Sequence, residues 1–117
     1  MRTDILIHKD KNLVEGLRQL NQLRGISRLI LFVVDDEDRV VGSVTDGDIR
    51  RAMEKWQAKF FDHTVEDIMT RTPKTVLPNT KITEIQSIMH KYKIHTVLVC
   101  DKEQRLLGVV DHYSCML

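Results

Sequence analysis

Apolar residues recur along this chain at two spacings, and the succession of spacings occurs twice. Leu13, Leu17, Leu20 and Leu23 fall three or four residues apart, which predicts a helix to about Leu23. Ile82, Ile85 and Met89 do the same and predict a second helix to about Tyr92. Asp10 stands ahead of the first, and Asn79 or Thr80 ahead of the second, as helix-start residues. A short apolar segment precedes each helix, Ile5 to His8 and Lys74 to Leu77. An apolar run follows each, Leu29 to Val34 and Thr96 to Cys100. A charged connection then leads to a second run, Val40 to Val44 and Leu106 to Val110. β-branched residues on both sides of a five-residue polar connection predict hairpins.

A last helix is expected from about Gly47 to Lys59, with Ile49, Ala52, Met53 and Trp56 on one face. Its counterpart begins about one turn before the final residue, Leu117. The helices align at an offset of 69 residues, from Leu13 to Ile82, and the hairpins at 66, from Gly42 to Gly108. The first copy therefore holds three extra residues near Gly25. The expected fold is α/β (α+β), two pseudo-symmetric β-α-β-β-α repeats packed as one module. Repeat one covers 1–59, a linker 60–64, and repeat two 65–117 with its C-terminal helix truncated. Val65 to Met69 reads as a helical turn before Pro73. A half of this size is marginal alone, and pairing lets both halves bury their apolar faces.

Composition narrows the partners. With 18 basic and 17 acidic residues the net charge is +1, which gives no electrostatic reason to expect nucleic acid or an anionic membrane. No apolar run approaches the roughly 20 residues of a membrane span, and the start Met1-Arg2-Thr3-Asp4 lacks a signal-peptide core. Two cysteines, Cys100 and Cys115, form no disulfide framework and no zinc spacing. A cytoplasmic setting is the simplest expectation, with Cys100 a small buried hydrophobe.

The informative string is Gly42-Ser43-Val44-Thr45-Asp46-Gly47-Asp48-Ile49-Arg50-Arg51. A strand ends at Thr45 and a helix starts within a few residues. Helix-start N–H groups are unpaired and attract phosphate. Thr45 places a hydroxyl there. Asp48 sits where a carboxylate accepts two hydrogen bonds from a vicinal diol, and Gly47 allows close approach to the backbone. Arg50 and Arg51 supply positive charge for phosphate. The simpler reading is that Thr45 and Asp48 only cap the helix, and on this string alone the two readings stand about even.

The duplication, the hairpin ending in Gly, and the Gly-Ser-Val-Thr-x-x-Asp string from Gly42 to Asp48 resemble CBS domains in tandem, over nearly the whole chain. That resemblance implies a regulatory, non-catalytic pair with two clefts that bind adenosine nucleotides or related ligands. It implies Thr45 at the phosphate and Asp48 at the ribose diol, with Asp46, Gly47 and Arg50 beside them and Ile7, Leu31 and Phe32 as apolar walls for a base. No cofactor is certain; an adenine or other nucleotide ligand fits. The second copy departs from the pattern, with Asp111 at the Thr position and Ser114 at the Asp position. A carboxylate there repels phosphate. Phe32 and Leu98 stand where many family members have Pro, and Ile30 and Thr96 where they have a base.

The wording Thr45-Asp46-Gly47-Asp48-Ile49-Arg50-Arg51 resembles CBS pairs attached to sugar-phosphate nucleotidyltransferases and isomerases. The opening at Met1, with Ile5-Leu6-Ile7 beginning the first repeat at once, favours the nucleotidyltransferase arrangement, and the stop at Leu117, mid-helix by the repeat, suggests a catalytic part cut away. The expected role is modulation of that enzyme by a nucleotide or nucleotide-sugar; the alternative is a purely structural dimerisation module with no ligand. Exposed apolar helix faces suit a homodimer. His90 and His95 lack a completing metal shell, and Asp35 to Asp38 lacks the Gly and Glu of a calcium loop and reads as a solvated turn. Met53, Trp56, Met69 and Met89 read as packing residues. No nucleophile–base constellation points to an enzyme.

Overall fold

A computed structural model describes residues 4–23, 30–71 and 73–111. The elements run β1 (Leu6–His8), α1 (Leu13–Gln22), β2 (Ile30–Val34), β3 (Val40–Thr45), α2 (Asp46–Trp56), a 3-10 turn (Gln57–Asp62), α3 (Val65–Ile68), β4 (Thr70–Arg71), β5 (Thr75–Val76), α4 (Ile82–Tyr92), β6 (Thr96–Cys100) and β7 (Leu106–Asp111). The architecture is mixed α/β with two sheets, ordered β1-β2-β3-β4 and β5-β6-β7. The expected turn at Gly25 and the last helix of the second copy lie outside the described residues.

The repeat is visible in the hydrogen bonding. In each copy the first strand runs parallel to the second, which pairs antiparallel with the third. Both hairpins carry a bulge at the same place, between Val33 and Val34 and between Val99 and Cys100. Both turns are tied by one aspartate. Asp35 Oδ1 accepts from the amides of Glu37 (2.9 Å) and Arg39 (3.0 Å), and Asp101 Oδ1 from those of Glu103 (2.8 Å) and Arg105 (3.0 Å). Asp38 (φ 62°) and Gln104 (φ 68°) take the left-handed conformation that closes each turn. Burial opposes ionisation of Asp35. Its two backbone amides and the Arg39 guanidinium outweigh that and hold the carboxyl below its usual range.

The helix starts differ from expectation. Asn12, not Asp10, caps α1, accepting from the Glu15 amide at 2.9 Å. Lys81 precedes α4 with no side-chain cap, and the Thr80 hydroxyl instead donates to the Leu77 carbonyl at 2.8 Å. α2 stops three residues before the expected Lys59, because Gln57 leaves the helical conformation with a positive φ (φ 50°, ψ −121°). Of the four packing residues, Met69 and Met89 are buried, Trp56 is half-buried and Met53 is exposed.

The described residues fall into two compact units that divide after Pro73. Residues 60–71 therefore belong to the first unit, although the sequence repeat turns over at 60–64. Buried Phe60, Val65 and Met69 fix them there. So do backbone bonds from Val65 N to Lys11 O (2.8 Å) and from Leu13 N to His63 O (3.1 Å). β4, absent from the periodicity, pairs with β3 through Thr70 and Arg71. In the first unit α1, α2 and α3 meet one face of the sheet. A side-chain carbon added to Gly16 would lie 3.2 Å from Val65 Cγ1, 3.7 Å from Ile49 Cδ1 and 3.9 Å from Ile7 Cδ1. In the second unit Val76, Ile85, Met89 and Val97 form the core under α4. Among the described residues no helix is long and apolar enough to cross a membrane.

Candidate functional site

β3 delivers Thr45 to the start of α2 in extended conformation (φ −105°, ψ 166°), the geometry of an N-cap. The Thr45 hydroxyl oxygen accepts from the Asp48 amide at 3.1 Å, and Asp48 Oδ2 accepts from the Thr45 amide at 2.8 Å. This is a reciprocal capping box, so the simpler reading of the string is realised in the structure. It does not exhaust the group. Each carboxylate oxygen accepts two hydrogen bonds. Asp48 Oδ2 holds the Thr45 amide and Oδ1 holds Arg51 Nη2 at 2.6 Å. The Asp48 side chain retains 16% of its accessible surface.

Both arginines turn back on the first turn of their own helix. Arg50 pairs with Asp46 and Arg51 with Asp48. Both arginine side chains are well exposed, at 72% and 71%, while Asp46 and Asp48 are more covered, so each pair is anchored at its carboxylate and loose at its arginine end. Gly47 lies between them, and the atoms nearest a side-chain carbon added there are those of the Arg51 guanidinium, Nη1 at 3.2 Å, Nη2 at 3.6 Å and Cζ at 3.7 Å. The backbone of that turn is thus approachable wherever Arg51 moves aside.

The expected apolar walls do not form one surface. Cross-strand partners share a face of a sheet and successive residues alternate. Leu6 pairs with Phe32 and Phe32 with Ser43, while Ile30 pairs with Thr45, so Phe32 shares the face of Thr45. Ile7 pairs with Val33, and Leu31 with Val44, on the opposite face under the helices. Ile7 and Leu31 are core residues there, 5% and 0% exposed, and Phe32 on the other face is buried as well, at 3%. A groove of about 400 Å³ runs along α1, lined by Asp4, Lys11, Glu15, Arg18 and Gln19 with Ile7 beneath, and includes none of Thr45, Gly47 or Asp48.

In the second unit Asp111 ends β7 opposite Thr96, as Thr45 ends β3 opposite Ile30. Ser114 lies outside the described residues. Cys100 is buried, and burial, with the Asp101 carboxylate adding, pushes its thiol up to about 11. Two arrangements escaped the sequence reading. Thr64 and Asp67 repeat the Thr-x-x-Asp spacing and form a second capping box, Thr64 N donating to Asp67 Oδ2 at 3.0 Å. His63 stacks on Trp56 (3.5 Å between centroids) and meets Asp67 Oδ2 at 3.1 Å. The spacing of Thr64 and Asp67 was there to be read. The stack depends on the 3-10 turn, which has no periodic signal. Chain folding also gathers His8, Asp10 and Asp36, with His8 Nε2 and Asp36 Oδ1 at 2.7 Å and the Asp10 amide on His8 Nδ1 at 3.1 Å.

The two sheets and the capped strand-to-helix turn define a duplicated α/β module built around βαββ units. The family model for the CBS domain matches residues 1–55 and again 65–116, and the chain belongs to that family as a tandem pair. CBS domains are in general regulatory rather than catalytic. The chain is 30% identical over 103 residues to a probable arabinose 5-phosphate isomerase of Haemophilus influenzae, covering 88% of this chain and 29% of the relative. It is 37% identical over 81 residues to the arabinose 5-phosphate isomerase KpsF of Escherichia coli, covering 69% and 24%. It thus spans under a third of the length of these relatives. Among solved structures it resembles the CBS domain pair of protein MJ0100, a complex with 5′-methylthioadenosine and S-adenosyl-L-methionine. The TM-score there is 0.76 at 28% identity, covering 99% of this chain and 87% of that one.

Proposed function

We propose that this CBS pair senses an adenosine-type nucleotide or related riboside at the start of α2 and so modulates an enzyme of sugar-phosphate metabolism. Thr45 and the free amides of the first turn receive the anionic part, and Asp48 the ribose diol. Asp46 and Arg50 flank the turn, and Phe32 is the apolar neighbour on the same face. The observation that carries this reading is the remaining acceptor capacity of Asp48. Its carboxylate is held by the cap on Oδ2 and by Arg51 on Oδ1, keeps 16% of its side-chain surface exposed and has a further lone pair on each oxygen. The likeness to a pair bound to two adenosine-derived ligands supports the ligand class. The names of the relatives support a sugar-phosphate isomerase as the regulated enzyme rather than the nucleotidyltransferase expected above, and we adopt the isomerase. A regulatory effect requires only that the ligand prefer one arrangement of the parent enzyme.

The test separates binding from capping. Asp48→Ala removes both, so it does not discriminate. Gly47→Ala replaces a helical glycine and gains up to about 1 kcal/mol of helix propensity, while placing a methyl group where a ligand must approach. A panel of adenosine, guanosine and cytidine nucleotides and sugar nucleotides is screened by thermal melting. Saturation with a ligand at about a hundred times its Kd stabilises by about 2.7 kcal/mol. The expected outcome is a rise in Tm for at least one member, lost in Gly47→Ala although that variant melts no lower than the parent chain.

The formed capping box favours a second reading, a structural dimerisation module without ligand. Exposed Met53, Phe61, Leu77, Ile82, Tyr92 and Leu107 support self-association. A concentration-dependent dimer in sedimentation, together with no melting shift across the panel, would establish it in place of the first.

A further inference from the structure

The group expected to hold a ribose diol is already engaged. Arg51 Nη2 lies 2.6 Å from Asp48 Oδ1, and Arg51 Nη1 lies 3.2 Å from the place of a side-chain carbon on Gly47. One guanidinium thus covers both the carboxylate and the backbone that a ligand would approach. The other oxygen, Oδ2, is bound to the Thr45 amide and belongs to the cap. Any ligand that meets the outer side of Asp48 competes with Arg51. The competition is mild. The pair is intrahelical, three residues apart, and the Arg51 side chain is 71% exposed. With its arginine end in solvent, the pair is weaker than one buried at both ends, although the Asp48 carboxylate is largely covered.

The displaced guanidinium need not leave. It already lies over the first turn of α2, whose free amides attract an anion. A phosphate at that turn offers it two acceptor oxygens, which the planar arginine fork can engage together and a lysine cannot. A ligand without phosphate offers nothing in exchange for the Asp48 pair. The side chain therefore has two positions whose relative favour depends on the ligand's charge.

Resting on the riboside reading above, we propose that Arg51 is the residue by which this site distinguishes phosphorylated from unphosphorylated ribosides. Without ligand it closes on Asp48, and a phosphate draws it off that carboxylate. The Arg50–Asp46 pair is a neighbour, not a substitute, because it leaves Asp48 untouched.

The test titrates the full chain with AMP and with 5′-methylthioadenosine, which share base and ribose and differ in the phosphate, using calorimetry. The variants are Arg51→Gln, Arg51→Lys and Lys55→Gln, the last removing a positive charge from the far end of α2. In the parent chain AMP binds more tightly. Arg51→Gln weakens AMP about tenfold, from loss of a charged hydrogen bond. It tightens 5′-methylthioadenosine about twofold, from loss of the competitor. Arg51→Lys falls between, and Lys55→Gln keeps the parent ratio. An unchanged ratio in Arg51→Gln, or equal affinities in the parent chain, overturns the role of Arg51 and leaves the riboside reading standing. Binding of neither compound to any of the four proteins overturns both.

Discussion

Gly42 and Gly108 hold equivalent places on the third strand of their repeats, yet their surroundings differ. A side-chain carbon on Gly42 would sit 2.6 Å from Met69 Sδ and 2.9 Å from the Thr70 carbonyl oxygen. On Gly108 the nearest neighbour is Val99 Cβ at 4.0 Å, an ordinary contact. Methionine can swing away, but the carbonyl belongs to β4, which is hydrogen-bonded to β3 at that residue. Overpacking of this kind costs about 1–3 kcal/mol. Gly42→Ala is therefore expected to lower stability in denaturant titration by about that amount, and Gly108→Ala to leave it unchanged or raise it slightly. Equal effects would mean that β4 is not seated on β3 in solution. Cys100 shows the same dependence on surroundings. Its apolar neighbours in sequence marked it as a buried hydrophobe, and its buried position and raised thiol agree.

Single elements show what a residue pattern can and cannot specify. The hairpins were legible because aspartate, a polar turn and β-branched flanks are local, and both turns close through one aspartate as local chemistry requires. The helix starts were less so, since several polar residues compete for each cap and tertiary contacts decide. Asn12 prevails over Asp10 where the chain also bridges to Thr64. β4 was not legible at all, because two residues carry no period. The second capping box permits a pH test of the charge it uses. The Thr64 amide, foremost, holds the Asp67 carboxyl below its usual range, with His63 adding, while burial opposes. A carboxyl lowered on folding contributes stability above its unfolded value of about 3.8 and loses it as the pH falls through the folded value. Asp67→Ala is expected to cost about 0.5–2 kcal/mol at neutral pH, as lost caps do. Asp67→Asn, which keeps an acceptor oxygen, is expected to cost less. Both deficits shrink toward pH 3 in urea titrations followed by circular dichroism. A deficit independent of pH would show that the ionised carboxylate contributes nothing to α3.

At the scale of the whole chain, the duplication was readable because gene-level repetition leaves aligned periods, and it led to the right family. What the repeat hid is the unequal fate of its copies. The first sheet gains β4 and the packing of residues 60–71; among the described residues the second sheet has three strands. The same inequality holds at the site. Thr45 ends β3 as a neutral hydroxyl whose oxygen caps the next helix. Asp111 ends β7 in the corresponding register position with a carboxylate. Two like charges a few ångströms apart repel by about 1 kcal/mol in water and by more where water is excluded, so a phosphate at the second position works against binding. On the proposed reading, calorimetric titration with AMP is expected to give one site per chain. Asp111→Thr removes the repulsion and is expected to add or tighten a second, weaker site, while Thr45→Asp abolishes the first. Two equal sites in the unaltered chain would mean that phosphate does not approach the ends of these strands, and the placement of the anion at the start of α2 would fall with it.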